Sequence, residues 1–198
     1  MSPRIALYGG SFDPPHICHV LTATWVLCRS EVVSLRIIPV FQHPFGKELS
    51  PFEHRCAMVE AAMAHLGPLA TVDRIEEVRG GASYTIDTVK ALMKRDGDFQ
   101  PVLIVGADVW PTRHEWHRWD ELASLVEFQV IGRTGVPDPP DREPPCHMPD
   151  ISSSDIRSRV GRGMPLSHLV PPSVEALIRT HGLYASPDDD APTDATVV

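Results

Sequence analysis

The sequence is poor in cysteine, in basic residues and in long apolar runs, and each shortage disfavours a class of protein. The four cysteines form no C-x-x-C pair, which indicates reduced thiols rather than disulfides. No apolar stretch approaches the roughly 20 residues that span a bilayer, and no secretory signal is evident. The 18 basic residues stand against 26 acidic ones, so the formal net charge of -8 disfavours a nucleic-acid surface. We therefore expect a cytoplasmic protein with neither membrane nor nucleic-acid partners; the sequence leaves its oligomeric state unknown.

Short aliphatic runs alternate along the chain with segments of helical period, which is typical of βαβ units around a parallel sheet. Strands are predicted at residues 4–8, 32–40, 70–73, 102–105 and 128–131. Helices are predicted at residues 17–28, 51–65, 84–94 and 120–125. Ser50 is expected to cap the second helix, because Glu53 follows it at capping-box spacing. The predicted fold class is α/β, a Rossmann-like doubly wound parallel sheet with a small C-terminal helical portion.

The chain length suits one domain, which we place at residues 1–184. Residues 136–149 hold six prolines, of 20 in the chain, and are predicted to be a surface loop within that domain. The last fourteen residues, ASPDDDAPTDATVV, hold four aspartates and no basic residue, so they lack the apolar surface that ordering requires. We expect residues 185–198 to form an acidic disordered tail.

A first motif, GGSFDPPHICH, follows the first predicted strand. Gly9 and Gly10 allow a ligand to approach the backbone closely, and a helix starting near His16 would direct its free amides at an anion. His16 and His19 share one face of that helix, whereas Cys18 is expected to point away from it. A phosphate site is favoured, with a zinc site or a turn carrying surface histidines as alternatives.

A second motif, ISSSDIR, begins at Ile151. Ser152 and Asp155 have the spacing of a helix N-cap, which by itself requires no ligand. The hydroxyl groups and free amides of such a helix start also form an anion site, and Arg157 adds a guanidinium that fits phosphate oxygens. Two anion sites near opposite ends of the chain suit a polyphosphate.

Both motifs resemble those of the H-x-G-H nucleotidyltransferases, whose elements are G-G-[ST]-F-D-P-x-H-x-G-H and I-S-S-T-x-I-R. SYTIDT from Ser83 and VGAD from Val105 are similar to elements of one branch, the nicotinate mononucleotide adenylyltransferases. WHRWDEL, Arg133 and the closing GLY segment fall in the same order. The resemblance covers about residues 5–184 and implies transfer of the adenylyl group of ATP to nicotinate mononucleotide, with Mg²⁺ accompanying the ATP.

The resemblance also implies roles for particular residues. Three are implied as catalytic phosphate contacts: His16, His19 and Arg157. The implied ATP site further comprises Gly9, Gly10, Ser11, Phe12, Ile151, Ser152, Ser153 and Ser154. Beside a triphosphate His19 is expected to be protonated and to stabilise charge, because opposite charge favours the charged form of an imidazole. No protein side chain is predicted to bind the metal.

On the acceptor side, the resemblance places Tyr84 and Thr85 near the pyridine carboxylate and Trp116 against the ring. Further implied contacts are Asp108 on nucleotide hydroxyls, with Arg133 and Lys47 near a phosphate. Ordinary core packing is the alternative for the two aromatic residues.

The chain departs from the family pattern at Cys18, which replaces the glycine of H-x-G-H. Three alternative functions stay open: an adenylyltransferase for another phosphate acceptor, such as nicotinamide mononucleotide or phosphopantetheine; a nucleotide-binding regulator without turnover, which this replacement makes conceivable; and a metal-binding module.

Overall fold

A parallel β-sheet forms the centre of the protein in a computed structural model that describes residues 2–29 and 31–185. Its strands are β1 (Arg4–Gly10), β2 (Ser34–Pro39), β3 (Ala70–Val72), β4 (Gln100–Gly106), β5 (Glu127–Arg133) and β6 (His147–Met148). The strand order is β3-β2-β1-β4-β5-β6, and every pairing is parallel. The winding direction therefore reverses between β1 and β4, as the predicted doubly wound fold requires.

Helices cover both faces of this sheet. They are α1 (Ile17–Arg29), α2 (Phe52–Met63), α3 (Ile75–Arg79), α4 (Thr85–Asp96), α5 (Trp119–Leu125), α6 (Ser153–Val160) and α7 (Pro172–Thr180). Two 3-10 segments, Ala64–Leu69 and Trp110–Glu115, follow α2 and β4. The helices α6 and α7 make up the C-terminal helical portion, so the predicted fold class is confirmed.

Alternation along the central strands builds two hydrophobic cores, one on each face. In β1, Ala6 belongs to one core, while Ile5 and Leu7 belong to the other. In β4, Ile104 belongs to the same core as Ala6, and Leu103 belongs to the other. Burial on both faces explains why these strands are continuous apolar runs in the sequence.

The predicted cap of α2 is wrong. The N-cap residue is Pro51, and no side chain among the described residues caps this helix. Ser50 instead uses its backbone: its amide donates to Asp13 Oδ2 (3.2 Å), and its carbonyl accepts a hydrogen bond from Arg55 Nε (2.9 Å). A tertiary contact has taken the place of the local one.

The structure bears only partly on two further predictions, the absence of a membrane span and the acidic tail. Of the helices in the described ranges, none has both the length and the apolarity to cross a bilayer. The four aspartates of the predicted tail fall within residues 186–198, outside the described residues. The division into residues 1–184 and an acidic tail therefore stays a prediction.

Candidate active site

A cleft opens at the carboxyl ends of β1 and β4, where the winding of the sheet reverses and ligands of open α/β sheets bind. It consists of two neighbouring cavities that share the wall residues Tyr8, Ile104, Val105 and Gly106. The β2-side cavity, of about 290 Å³, extends toward Ile38 and Val40. The β5-side cavity, of about 320 Å³, extends toward Ile131 and Arg133. A ligand of two parts could therefore occupy both.

Most of the residues singled out in the sequence line this cleft. The β5-side cavity is lined by His16, His19, Lys47, Asp108, Arg133, Ile151, Ser152, Ser153 and Ser154. The β2-side cavity is lined by Gly9, Gly10, Ser11, Thr85 and Trp116. The residues predicted to bind ATP are thus divided between two cavities, with the glycines on the side of Trp116. Phe12, Tyr84 and Arg157 line neither cavity.

Phe12 supports the site from within the core. It is 2% exposed, and its ring packs edge-on against Tyr8 and His19, with centroid separations of 5.5 and 5.0 Å. Gly10 allows this close packing, because a Cβ atom at that position would lie 3.1 Å from the Phe12 ring, a tight contact that would push the ring aside. The glycine therefore serves packing under His19 as well as access to the cleft.

The two histidines form a close pair of tilted rings at the start of α1. Their ring centroids are 3.8 Å apart, and the backbone N–H of His16 donates to His19 Nδ1 at 3.0 Å. Because Nδ1 accepts that bond, the proton of a neutral His19 must reside on Nε2. His19 can therefore donate a hydrogen bond from Nε2 to a phosphate oxygen without first gaining a charge.

Both histidines have lowered pKa values. Burial, with a contribution from nearby Arg133, lowers the pKa of His16 to about 4. Burial also lowers the pKa of His19 well below its ordinary value, with His16 and Arg133 adding to the effect. The imidazoles are consequently neutral near pH 7 before an anion arrives, so the positive charge expected on His19 has to be acquired with the ligand. The buried Nδ1 of His16 has no hydrogen-bond partner in the described part of the chain.

The second motif starts α6 as its spacing predicts. Ser152 is the N-cap residue, and its side chain accepts a hydrogen bond from the amide of Asp155 (3.1 Å). Ser153 Oγ donates to the carbonyl of Pro14 (2.9 Å), a residue 139 positions earlier. Arg157 Nη1 donates to the carbonyl of Asp13 (2.6 Å), and Nη2 donates to Ser154 Oγ (3.2 Å). Arg157 thus binds the first motif to the second.

Arg55 is a site residue that local pattern reading assigns only to the structure of α2. It is 1% exposed, and its Nη1 donates to the carbonyl of Ser11 at 3.0 Å. Together with its bond to the Ser50 carbonyl, this contact fixes the loop ahead of His16 from inside the protein. The signal available in the sequence was an arginine on the apolar face of a helix, which requires a polar partner when buried.

Arg133 sits at the end of β5 between two carboxylates. Its guanidinium lies 3.4 Å from Asp108 Oδ2 and 2.7 Å from Asp150 Oδ1. Gly106 makes room for this arrangement, since a Cβ there would lie 2.3 Å from Asp108 Oδ1. Lys47 and Arg133 both line the β5-side cavity and bring positive charge to it.

Cys18 does not point away from the histidines. It lines the same cavity as they do and donates from Sγ to the carbonyl of Pro149 (3.3 Å). Burial raises the pKa of its thiol, which keeps the sulfur protonated and able to donate. The expectation about its direction was wrong because it considered only α1, whereas the loop before α6 packs on the first turn of this helix and supplies the Pro149 carbonyl to Cys18.

The β2-side cavity contains a buried carboxylate that the sequence did not single out. Glu76 accepts hydrogen bonds from Thr88 Oγ1 (2.8 Å) and from the amide of Phe41 (3.0 Å). Thr85 and Trp116 line the cavity, whereas the ring of Tyr84 packs against His117, with centroids 4.5 Å apart. Glu76 thereby ties the loop after β2 to the helix that begins at Thr85.

Comparison with known proteins agrees with this geometry. The sequence pattern of the cytidylyltransferase-like family matches residues 7–159. A protein of Myxococcus xanthus named as a probable nicotinate-nucleotide adenylyltransferase is 38% identical over 181 residues, covering 91% of this chain and 94% of its own. A protein of the same name in Lactiplantibacillus plantarum is 36% identical over 190 residues, covering 93% and 90%.

Solved structures share the fold. Nicotinic acid mononucleotide adenylyltransferase of Plasmodium falciparum, complexed with NaAD, superposes with a TM-score of 0.79 at 18% identity, covering 92% of this chain and 97% of its own. The same enzyme complexed with APC superposes with a TM-score of 0.78 at 17% identity and equal coverage. From the family pattern and the relatives more than a third identical, the chain belongs to the cytidylyltransferase-like family and, within it, to the nicotinate-nucleotide adenylyltransferases, which are nucleotidyltransferase enzymes.

Proposed function

We propose that the protein transfers the adenylyl group of ATP to nicotinate mononucleotide, giving deamido-NAD and pyrophosphate in NAD biosynthesis. The observation that carries this proposal is the cleft itself. The two anion-binding motifs are hydrogen-bonded to each other along one cavity, through Ser153 and Arg157, and a second cavity containing Thr85 and Trp116 adjoins it. This arrangement suits two nucleotides that react at the shared wall.

The chemistry requires little of the protein beyond alignment and charge stabilisation. The attacking group is a phosphate monoester whose second pKa is about 6, so it is already mostly ionised near pH 7 and needs no protein base. Catalysis then depends on holding its oxygen in line with the α-phosphorus of ATP and on stabilising charge on the α-phosphate and the leaving pyrophosphate. The neutral histidine pair fits this task, because it supplies donors and removes no proton.

We assign the triphosphate to the β5-side cavity. There His19 Nε2–H and the free amides at the start of α6 would donate to phosphate oxygens, with Ser152, Ser153 and Ser154 around them. Lys47 and Arg133 supply positive charge, and Asp108 is exposed and able to accept from nucleotide hydroxyls. Arg157 would act mainly by holding the loop ahead of His16, because its guanidinium is bonded to that loop.

We assign the pyridine nucleotide to the β2-side cavity. Trp116 would cover the pyridine ring, and Thr85 at the start of α4 would face its carboxylate, with Tyr84 contributing backbone only. Gly9, Gly10 and Ser11 line this cavity while His16 lines the neighbouring one, so their backbone would lie along the path of the reacting phosphate.

Mg²⁺ fits this site as a partner of ATP. Across residues 2–29 and 31–185 no three His, Cys, Asp or Glu side chains converge as a metal site. Mg²⁺ commonly keeps several waters and binds through substrate phosphates, so the triphosphate itself would hold it. When bound, the ion would neutralise charge on the leaving pyrophosphate, while the residues above orient the α-phosphate.

Nicotinamide mononucleotide is the second acceptor to consider. No lysine or arginine lines the described wall of the β2-side cavity, so a carboxylate there would meet neutral donors such as the Thr85 hydroxyl and backbone amides rather than a positive charge. An amide could use the same contacts. The decisive experiment incubates the protein with ATP, Mg²⁺ and each mononucleotide in turn, and measures pyrophosphate release and dinucleotide formation. Deamido-NAD is the expected product, and the absence of product from both acceptors would contradict the proposal.

His19→Ala tests the phosphate role. We expect kcat to fall by about 100-fold or more, which is the usual cost of removing a donor to developing charge. Circular dichroism should show an unchanged fold. His65→Ala is the matched control, since His65 is exposed and outside both cavities. A folded His19→Ala enzyme with wild-type kcat would exclude this role.

A further inference from the structure

The C-terminal segment of the described chain returns to the loop that precedes His16. Tyr184 adopts a left-handed backbone conformation with φ of 65°. Its hydroxyl group donates to Asp13 Oδ1 at 2.7 Å, across 171 positions of sequence. Neither residue lines the cleft, so their contact lies behind the site.

Residues 10–16, here called the phosphate loop, are held by contacts from several elements. Arg55 binds the carbonyl of Ser11, Arg157 binds the carbonyl of Asp13, and Ser153 binds the carbonyl of Pro14. All three contacts are made to backbone carbonyl groups, so the Asp13 side chain has other hydrogen-bond partners. The Asp13 carboxylate therefore fixes the loop independently of them.

The Asp13 carboxylate is buried, with 3% of the residue exposed. Burying a carboxylate is unfavourable unless both oxygens find donors. The amide of Ser50 donates to Oδ2 at 3.2 Å, and the Tyr184 hydroxyl is the donor to Oδ1. Burial and the adjacent Asp13 charge raise the pKa of Tyr184, which keeps its proton available for this bond at physiological pH.

The effect of this contact reaches the histidines through a short path. Asp13 stands three residues before His16, and the backbone N–H of His16 donates to His19 Nδ1. A shift of the phosphate loop would therefore move the amide that sets the tautomer and direction of His19. Misplacing a reacting group by about 1 Å is enough to cost about 100-fold in rate.

We propose that Tyr184 is a positioning residue for adenylyl transfer, acting through Asp13 to fix the phosphate loop and the histidine pair. This inference rests on the function proposed above. It gives the closing GLY segment of the chain a part in the reaction, although that segment contributes no surface to the cleft.

Tyr184→Phe in the full-length chain is the direct test, because it removes one oxygen atom and keeps the ring. We expect kcat to fall about 10-fold, with the KM values for ATP and mononucleotide within about twofold of wild type. Ser173→Ala is the matched control: it removes a C-terminal hydrogen bond, from Ser173 Oγ to the carbonyl of Ala61 (3.1 Å), that does not reach the phosphate loop. We expect wild-type kcat for that variant.

Asp13→Ala and the double variant Asp13→Ala/Tyr184→Phe test the path. If Tyr184 acts through Asp13, the double variant has the kcat of Asp13→Ala alone. Additive losses, or a Tyr184→Phe enzyme with a lower melting temperature but wild-type kcat, would overturn the inference. A wild-type enzyme that is inactive with both mononucleotides would instead overturn the proposed function, and this role with it.

Discussion

Cys18 stands where the nucleotidyltransferases that this sequence resembles have a glycine, and its thiol has a defined partner. By donating to the carbonyl of Pro149, it ties the first turn of α1 to the segment that leads into Ser152. A glycine could not make this contact and would also loosen the helix start. The substitution therefore has a structural consequence on the phosphate side of the cleft.

Replacing Cys18 by serine and by glycine tests the contact between its side chain and the Pro149 carbonyl. Cys18→Ser retains a donor, and we expect its KM for ATP to stay within about twofold of wild type. Cys18→Gly loses the donor, and we expect KM for ATP to rise about 5-fold, the equivalent of about 1 kcal/mol. Steady-state kinetics measures both, with exposed Cys28→Ser as the control. Equal KM values in all three variants would refute the tether.

Candidate site residues that are marked by type and spacing within a short motif could be singled out from the sequence. Residues whose role depends on hydrogen-bond partners elsewhere in the fold could not. His16, His19 and Ser152 could be singled out because their types and spacing mark a helix start, and the structure places all three on one cavity. The role of Arg55 was missed, since its partners are backbone carbonyls of Ser50 and Ser11 that no periodicity reveals. The two helix starts of the proposed phosphate site were thus recognisable, but the residues that support them from behind were not.

Helices and strands show the same contrast between what a local pattern determines and what a tertiary contact determines. The helix α1 and the strand β4 were predicted within a few residues, because long apolar patterns determine them. The helix α3 was missed, as it has five residues, and β6 was missed because its two residues lie in the proline-rich loop. That strand exists through pairing with Gly132 and Arg133, a tertiary contact absent from the local pattern.

The proline-rich loop also supports the 3-10 helix Trp110–Glu115, which leads directly to Trp116. Asp141 in this loop accepts hydrogen bonds from Trp110 Nε1 (3.1 Å) and from Arg113 Nη2 (2.7 Å). The Arg113 guanidinium in turn lies 4.4 Å from the Trp110 ring centroid. A segment predicted as a plain surface connection therefore holds the element that carries the proposed pyridine contact.

Asp141→Ala should loosen that element. We expect KM for the mononucleotide to rise about 3-fold and KM for ATP to stay unchanged; the effect is modest because exposed ion pairs contribute about 1 kcal/mol or less. Asp138→Ala is the control in the same loop. The hydrogen-bond partner of Asp138 is His147 in β6, not a residue of the 3-10 helix. Initial-rate measurements with each substrate varied would show the difference. A parallel rise in both KM values would argue against a local role.

At the scale of the molecule, the two ends of the domain meet at one site. Alternation of strands and helices predicted the doubly wound sheet, and such a sheet places ligands at the carboxyl ends of β1 and β4. The contacts of Ser153, Arg157 and Tyr184 with the phosphate loop then close the domain across 139 or more positions. Pattern and propensity do not specify contacts of such range, so the two motifs were brought together in advance by their shared anion-site chemistry and by the family resemblance.

This closure buries His16, and burial makes the stability of the whole domain depend on pH. The pKa of His16 is lowered to about 4 from an ordinary 6.5, so the unfolded chain binds more protons between these pH values. Stability contributed by the neutral ring is complete above about pH 6.5 and declines as pH falls toward 4, by about 3 kcal/mol in total. Urea unfolding of wild type and His16→Asn, followed by tryptophan fluorescence from pH 7 to pH 4, gives the free energy of unfolding of each protein against pH. The difference between the two curves is the contribution of His16. We expect the curves to converge at low pH as wild type loses its advantage; curves that stay parallel would mean that His16 is not held neutral by burial.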